Sequence, residues 1–374
     1  MRRGRARLAL TALLALSALS ALSALSAAIG GGGAAAGAQV ANAALPALGE
    51  VAAAQALPFA GRAQAAAAHS AVSLEHVQRL LAEADAGLPE ANYMLGLLAL
   101  YGGANGVRVD LPAARRWFTA AANKGHADAA TNVGLMVLHG VGEEQQGHKE
   151  YASAGAEVQA RNAGTAARWL LQAAESGSAD AQWMLGRLYY DGLVGAAPAA
   201  GAPGATRKPD LRSAAQWFSR AAAQGSPRGL FNLGILHEYG AGGQQQDLPR
   251  ALALYRRAYA DGAGDKEAGY YAAVLMLYGR GVPQDLKAAA RIIRDCAAAG
   301  IAPAMLQLAK LHTHGQGVER DYRLAQAWFG KAAEAPGAAL ALREEAAKAR
   351  DELKALLEAA DKQMLDDIRK FKEL

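Results

Sequence analysis

One spacing recurs six times along the chain and constrains its fold more than any other feature. In each copy, an Asp or Asn lies seven residues before a Trp or a large aliphatic residue. The six pairs are Asp110 and Trp117, Asn162 and Trp169, Asp210 and Trp217, Asp247 and Leu254, Asp285 and Ile292, and Asp321 and Trp328. A fixed internal period indicates one supersecondary unit copied in tandem, in which each copy packs on its neighbours.

Each copy has the pattern of two helices joined by a turn. The first helix carries a small residue six positions before a closing glycine; these small residues are Gly96, Gly134, Gly186, Gly234, Ala273 and Ala309. A small residue inside a helix predicts close approach by a neighbouring helix, and the closing glycine suits the left-handed backbone at a helix C-terminus. The Asp or Asn that follows is predicted to be the N-cap of the second helix.

These motifs resemble the Sel-one-like repeat family, which is related to the tetratricopeptide repeat. The agreement is clear from Gly315 to Asp321 and onward through Trp328 and Phe329 to the Ala pair at 332 and 333. The departures are modest: alanine replaces the inner glycine in two copies, and Leu or Ile replaces Trp in two copies. The resemblance implies an all-α fold, a right-handed α-solenoid of helix-turn-helix repeats that is used mainly for protein–protein contact.

The N-terminal segment, residues 1–38, is predicted to be a secretory signal peptide. A basic start is followed by an uncharged Leu/Ala/Ser stretch from Leu8 to Ile29, and small residues come next. Cleavage near Ala38 or Ala43 would leave a periplasmic or secreted protein. The alternative is an uncleaved anchor, because the apolar stretch is long enough to span a bilayer.

Three further segments follow the predicted signal. Residues 39–73 are rich in Ala and Gly and are predicted to be a disordered linker. Residues 74–337 hold six repeats preceded by a half-repeat, with two insertions at 141–161 and 193–209 that are either drifting loops or a protrusion on one edge. Residues 338–374 are predicted to form a capping helix, with a dimerising coiled coil as the alternative. Its apolar stripe is Leu353, Leu357, Ala360, Met364, Ile368 and Phe371.

Charge and cysteine content narrow the function classes. Of the net charge of +5, four units belong to the arginines among the first seven residues, so the mature chain is near +1. The net charge of the mature chain therefore gives no support for nucleic-acid binding. Cys296 is the single cysteine, which excludes an internal disulfide framework. Its place in a second helix favours a buried structural thiol over a reactive one.

The helical period separates a predicted core from a predicted binding surface. Residues one before and two after each small residue are nearly all apolar and are predicted to be core, while the Trp residues are interpreted as inter-helix packing. A second arc of the first helices should line the concave face of the solenoid. The candidate protein-binding groove on this arc is Tyr101, Asn132, His139, Arg187, Asn232, Tyr239, Tyr271, Tyr278, Gln307, Lys310 and His314. The same arc includes Leu97, Leu135, Ile235 and Val274. Residues of this arc are predicted equally well to line the groove or to extend the core, except those five residues after each small residue, near the helix ends, for which the groove is favoured.

Motifs for catalysis, metal binding and cofactor binding are not recognised. His237 and Glu238 lack the second His that a zinc protease needs, and the paired glycines follow helices instead of strands. The predicted function is an exported, monomeric, non-enzymatic scaffold or adaptor for a protein or peptide, with envelope regulation or assembly implied by the resemblance. The resemblance also offers a secreted β-lactam-binding or hydrolysing enzyme, and a retained signal would give a membrane-tethered structural scaffold.

Overall fold

The computed structural model describes residues 73–102, 108–142, 155–195, 208–260 and 264–372. Within these ranges the chain forms fourteen α-helices and no strand, so the all-α prediction is confirmed. None of these helices combines the length and the apolarity that a bilayer crossing needs. The predicted signal peptide and nearly all of the predicted linker lie outside the described residues.

The helices form one preceding helix, six pairs and one long final helix. Each helix packs on the next along the chain, which gives an all-α solenoid. We call the two members of each pair its first and second helix. Their bounds are α1 Leu74–Asp85; α2 Pro89–Tyr101 with α3 Leu111–Ala122; α4 Ala127–His139 with α5 Gly155–Glu175; α6 Ala179–Tyr190 with α7 Leu211–Ala223; α8 Pro227–Tyr239 with α9 Leu248–Tyr259; α10 Lys266–Tyr278 with α11 Leu286–Ala298; α12 Ala302–His314 with α13 Tyr322–Ala333; and α14 Leu340–Lys372.

Five of the second helices begin at the predicted Asp. In each, the Asp side chain accepts a hydrogen bond from the backbone N–H three residues later, as Asp321 does from Leu324 at 2.8 Å. The backbone N–H of the same Asp donates to a carbonyl near the end of the first helix, as Asp321 does to His312 O at 3.0 Å. One residue thus starts the second helix and ties it to the first.

The prediction that Asn162 is an N-cap is wrong. The second helix of that pair begins at Gly155, so Asn162 lies inside it. Its Nδ2 donates to Val137 O at 2.8 Å, and Val137 is the residue equivalent to His312 in the last pair. The side-chain amide of Asn162 therefore replaces the backbone N–H that Asp supplies elsewhere. The last part of the first insertion extends α5, and residues 143–154 lie outside the described part of the chain.

Asn162→Asp should destabilise the protein by about 1–3 kcal/mol, because a carboxylate cannot donate to Val137 O and instead places a negative charge against that carbonyl oxygen. Urea denaturation of the variant measures this loss. The matched control is Asp321→Asn, since Asn caps a helix about as well as Asp and the expected change there is below about 1 kcal/mol. Equal effects of the two variants would contradict the assignment.

In four of the first helices, the glycine at the small-residue position makes room for a large side chain of the second helix. A methyl group added at Gly96 would lie 2.5 Å from Phe118 Cδ1, and one added at Gly234 would lie 2.6 Å from Tyr255 Cε1. Phe218 lies as close to Gly186, and Leu170 fills the same place against Gly134. The predicted close approach of the two helices is present at these four glycines.

The buried aromatic ring belongs to the residue directly after the Trp position of the repeat pattern. Phe118 and Phe218 are fully buried, whereas Trp117 and Trp217 just before them are half-buried and pack at the edge of the core. The predicted core positions are confirmed: the residues one before and two after each small residue are buried in all six first helices. These Trp residues therefore contribute to inter-helix packing at the edge of the core.

Gly234→Ala should destabilise the protein by about 1–3 kcal/mol, because the added methyl group overlaps the Tyr255 ring and forces it to move. The control is Gly164→Ala in α5, where no atom lies within 4 Å of the new methyl group. Alanine there should stabilise the helix by up to about 1 kcal/mol. Thermal melts of both variants test this. Stabilisation by both substitutions would show that the space between Gly234 and Tyr255 accepts a side chain.

Turn glycines join each repeat to the one before it. Gly242 and Gly317 have positive φ angles of 67° and 71°. A methyl group at either position would collide with the carbonyl oxygen of Leu211 or Leu286, and these residues start the second helix of the preceding pair. Both the backbone conformation and the close contact require glycine.

The buried apolar side chains of the described residues form four clusters along the solenoid. The two largest meet at the half-buried Trp183 and Tyr189 of α6. Side-chain amides cross the same junction: Gln224 Nε2 donates to Gln182 Oε1 at 2.9 Å, and the buried Gln182 donates to Ala174 O at 3.0 Å. Hydrogen bonds thus supplement the apolar contact between α6 and α7, where the Phe218 ring lies against Gly186.

The final helix, α14, packs on the last repeat between Leu342 and Asp361. Ala346 and Leu353 are buried against α13, and Arg323 Nη2 lies 3.0 Å from Asp361 Oδ1. Leu356 and Met364 are exposed. Helix α14 is longer than α13, and the part that contacts the last repeat reaches Asp361.

Candidate protein-binding face

The ends of the first helices expose side chains at one shared repeat position. Tyr239 of α8 and Tyr278 of α10 lie five residues after their small residue and are 65% and 59% exposed. Asp191 and His314 occupy the same position in neighbouring repeats and are also exposed. Four consecutive repeats therefore present this position to solvent. We call the surface formed by Asp191, Tyr239, Tyr278 and His314 the first-helix face.

A layer of aromatic rings lies next to the exposed tyrosines. The Tyr271 ring of α10 is 5.2 Å from the Phe231 ring of α8 and 5.6 Å from the Tyr255 ring of α9, measured between centroids. Burial raises the pKa of Tyr271, so its hydroxyl stays protonated and can donate a hydrogen bond. Ring contacts of this kind fix the relative position of α8 and α10.

A buried carboxylate is fixed next to Tyr239. Glu238 is almost fully buried, its Oε2 accepts a hydrogen bond from the Tyr255 hydroxyl at 2.8 Å, and its Oε1 lies 3.1 Å from Arg280 Nη1. This ion pair holds the partly exposed Arg280 guanidinium two residues after Tyr278. The repeat pattern did not predict this ion pair. One feature of the sequence could have indicated it: Glu238 occupies a repeat position that is Leu in α2, α4 and α10.

Several predicted groove residues already have partners within the chain. Gln307 Nε2 donates to the Tyr278 hydroxyl at 3.3 Å, which links α12 to α10. Lys310 Nζ lies 2.6 Å from Glu345 Oε1 of α14, and Arg187 Nη2 lies 3.0 Å from Asp191 Oδ2. These side chains remain at least partly exposed and form the polar margin of the first-helix face.

Two predicted groove residues are not at the surface. Asn132 is 0% exposed and Asn232 is 6% exposed, because neighbouring helices cover this side of α4 and α8. Asn232 Nδ2 donates to Arg228 O within its own helix at 2.8 Å. The prediction that these two residues contact a partner is therefore wrong. Leu97 and Leu135 are buried as well, so the core alternative holds for them.

Tyr101 and His139, the groove residues nearest the N-terminus, are half-buried. His139 Nδ1 lies 3.3 Å from Gln159 Nε2 of α5, and burial lowers the pKa of His139, so its ring is neutral at pH 7. The N-terminal repeats thus present less polar surface on this face than the repeats from α6 onward.

The described residues include no group of three or more His, Cys, Asp or Glu side chains placed to hold a metal ion. Cys296 is fully buried, and burial raises its pKa to about 12. Its thiol is therefore protonated at neutral pH and packs as an apolar group, as predicted.

Six stretches of the chain match the Sel1 repeat model: residues 89–126, 153–178, 179–226, 227–262, 267–292 and 302–336. The stretch from 127 to 152, which holds α4 and most of the first insertion, lies outside these matches. A search of curated proteins found no match.

Solved structures include several similar proteins. A Sel1 repeat protein from Oxalobacter formigenes is 27% identical, with 75% of this chain and 69% of that chain covered and a TM-score of 0.54. A protective antigen of uropathogenic Escherichia coli strains with an SLR fold is 24% identical, with 77% and 69% covered and a TM-score of 0.33. With matches over more than half of its length, the chain belongs to the Sel1 repeat family.

Proposed function

We propose that this protein is a non-enzymatic scaffold that binds a protein partner along its first-helix face after export from the cytoplasm. The Sel1 repeat fold supports a protein-interaction scaffold in general. The observation that carries the finer proposal is the pair of exposed tyrosines, Tyr239 and Tyr278, at one position of adjacent repeats.

Exposed tyrosines in register suit an interface. A Tyr side chain offers a large, rigid contact area and a hydroxyl, and it loses little conformational entropy when a partner covers it. Because Tyr239 and Tyr278 come from adjacent repeats, a partner that lies across the first helices contacts both. The ring layer around Tyr271 holds α8 and α10 in place, so the surface is formed before binding.

Polar groups beside the tyrosines supply direction and selectivity. Arg280 is oriented by the buried Glu238, and an arginine held in this way can bind a carboxylate or a carbonyl group of the partner. Gln307 and His314 extend the polar surface toward α14. The interface thus has an aromatic centre and a polar rim.

The double variant Tyr239→Ala and Tyr278→Ala should lose partner capture while the melting temperature stays near that of the native protein, since both rings are mostly exposed. A photo-crosslinking residue placed at 239 or 278 should form a discrete adduct in cells. The control is Tyr322, which is 42% exposed at the start of a second helix and should give no such adduct.

Two outcomes would contradict this binding site. Unfolding of the double variant would show that the two rings belong to the core. An adduct of equal yield at Tyr322 would show that the first-helix face has no special role.

Export is the second part of the proposal, and it rests on the basic start, the uncharged apolar stretch and the small residues that follow. The mature protein should begin just after Ala38 or Ala43, and intact mass measurement of the periplasmic fraction tests this. In that compartment the partner is an envelope protein. A mass that includes Met1 to Ile29 would instead indicate the membrane-tethered scaffold.

A further inference from the structure

Positive charge is concentrated in the second helices of the last four pairs. Helices α7, α9, α11 and α13 contain ten Lys or Arg residues and one acidic residue, Asp295. The first helices of the same pairs contain four basic and three acidic residues. Helix α14 has eight of each. The near-neutral balance of the mature chain therefore hides a strong asymmetry.

The ten basic side chains are all exposed and point away from the core. In α11 they recur at intervals of four and three residues, at Lys287, Arg291 and Arg294, which places them on one helix face. Adjacent second helices continue the pattern. We call this surface the basic face: Arg212, Arg220, Arg250, Arg256, Arg257, Lys287, Arg291, Arg294, Arg323 and Lys331.

Among the described residues, few acidic side chains form ion pairs with these ten cations. Asp295 is bound by Lys266 Nζ and by the Tyr259 hydroxyl, both at 2.5 Å; burial raises its pKa, but these hydrogen bonds outweigh burial and lower it. The Asp residues at the helix starts cap their own backbones. Arg323 is paired with Asp361. Arg257, Arg291 and Arg294 have no ion-pair partner among the described residues.

Two Trp residues border the basic face. The Arg220 guanidinium lies 4.5 Å from the Trp217 ring centroid, and the Lys331 ammonium lies 4.0 Å from the Trp328 ring centroid. Both rings are half-buried, so part of each ring reaches the surface. Trp beside Lys and Arg is the composition that proteins place at the interface between water and lipid.

We propose that the basic face docks on the surface of a lipid bilayer that contains anionic phospholipid. Eight of its ten cations are Arg, whose planar guanidinium binds phosphate oxygens in pairs. The second helices of four consecutive pairs carry this charge, and none of these four helices protrudes as a DNA-reading element does, so an extended anionic surface fits better than a duplex. This role is separate from the protein-binding function and uses different helices.

The test compares binding of three full-length chains to vesicles of phosphatidylcholine with phosphatidylglycerol and to vesicles of phosphatidylcholine alone. The first chain is native, and the second carries Arg257→Gln, Arg291→Gln and Arg294→Gln. The third is a control with the same loss of charge on α14: Lys348→Gln, Lys354→Gln and Lys362→Gln. Any lipid affinity of the N-terminal apolar stretch is common to all three.

The Arg variant should bind the anionic vesicles on the order of 100-fold more weakly than the native chain, whereas the Lys control should change by roughly threefold or less. The difference should shrink in high salt. The melting temperature of the Arg variant should be unchanged or higher, because like charges repel one another in the native protein. Replacing the same three arginines with Lys keeps the charge and should keep vesicle binding.

Equal weakening by the Arg variant and the Lys control would overturn the proposal, as would unchanged binding of the Arg variant. Duplex DNA is the competing ligand. Loss of DNA binding with unchanged vesicle binding would assign the face to nucleic acid and also overturn the proposal. The Tyr239 and Tyr278 double variant should bind vesicles like the native chain, which separates failure of this role from failure of the protein-binding role.

Discussion

The contact between a large second-helix side chain and a small first-helix residue sets the geometry of this protein. Phe118 on Gly96 and Tyr255 on Gly234 bring two backbones closer than ordinary side chains allow. Since the same contact recurs in four pairs, these pairs share a similar internal geometry. The turn glycines Gly242 and Gly317 then pack each pair on the one before it. Every surface property of the solenoid follows from this regularity, because a residue type repeated at one position becomes a continuous surface feature.

Each helix pair exposes one arc of its first helix and one arc of its second helix, and the two arcs carry different types of side chain. The first-helix arc combines the exposed Tyr239 and Tyr278 with an arginine held by Glu238. The second-helix arc is basic, with tryptophans at its border. A partner protein and a lipid surface can therefore be recognised by separate helices, without competition for the same side chains.

Much of the fold could be predicted because its signals are local. An Asp cap acts within three residues, and core positions follow from the helical period. The burial of Asn132 and Asn232 could not be predicted, since it depends on how far neighbouring helices cover them. The pairing of Glu238 with Arg280 joins two repeats, and the start of α5 depends on an insertion that shifts Asn162 into the helix interior. Sequence periodicity carries no information about these non-local contacts.

The Gln182 and Gln224 junction has a mechanical consequence. The Phe218 ring lies against Gly186 in the same helix pair, so apolar packing and amide hydrogen bonds act together where the two large clusters meet. Apolar attraction is non-directional, whereas hydrogen bonds weaken steeply when their angles change. Twisting α7 about α6 therefore costs more here than it would across an apolar contact alone. The two amides should hold Asp191 in a fixed relation to Tyr239 and Tyr278, so that a partner meets one constant curvature along the first-helix face.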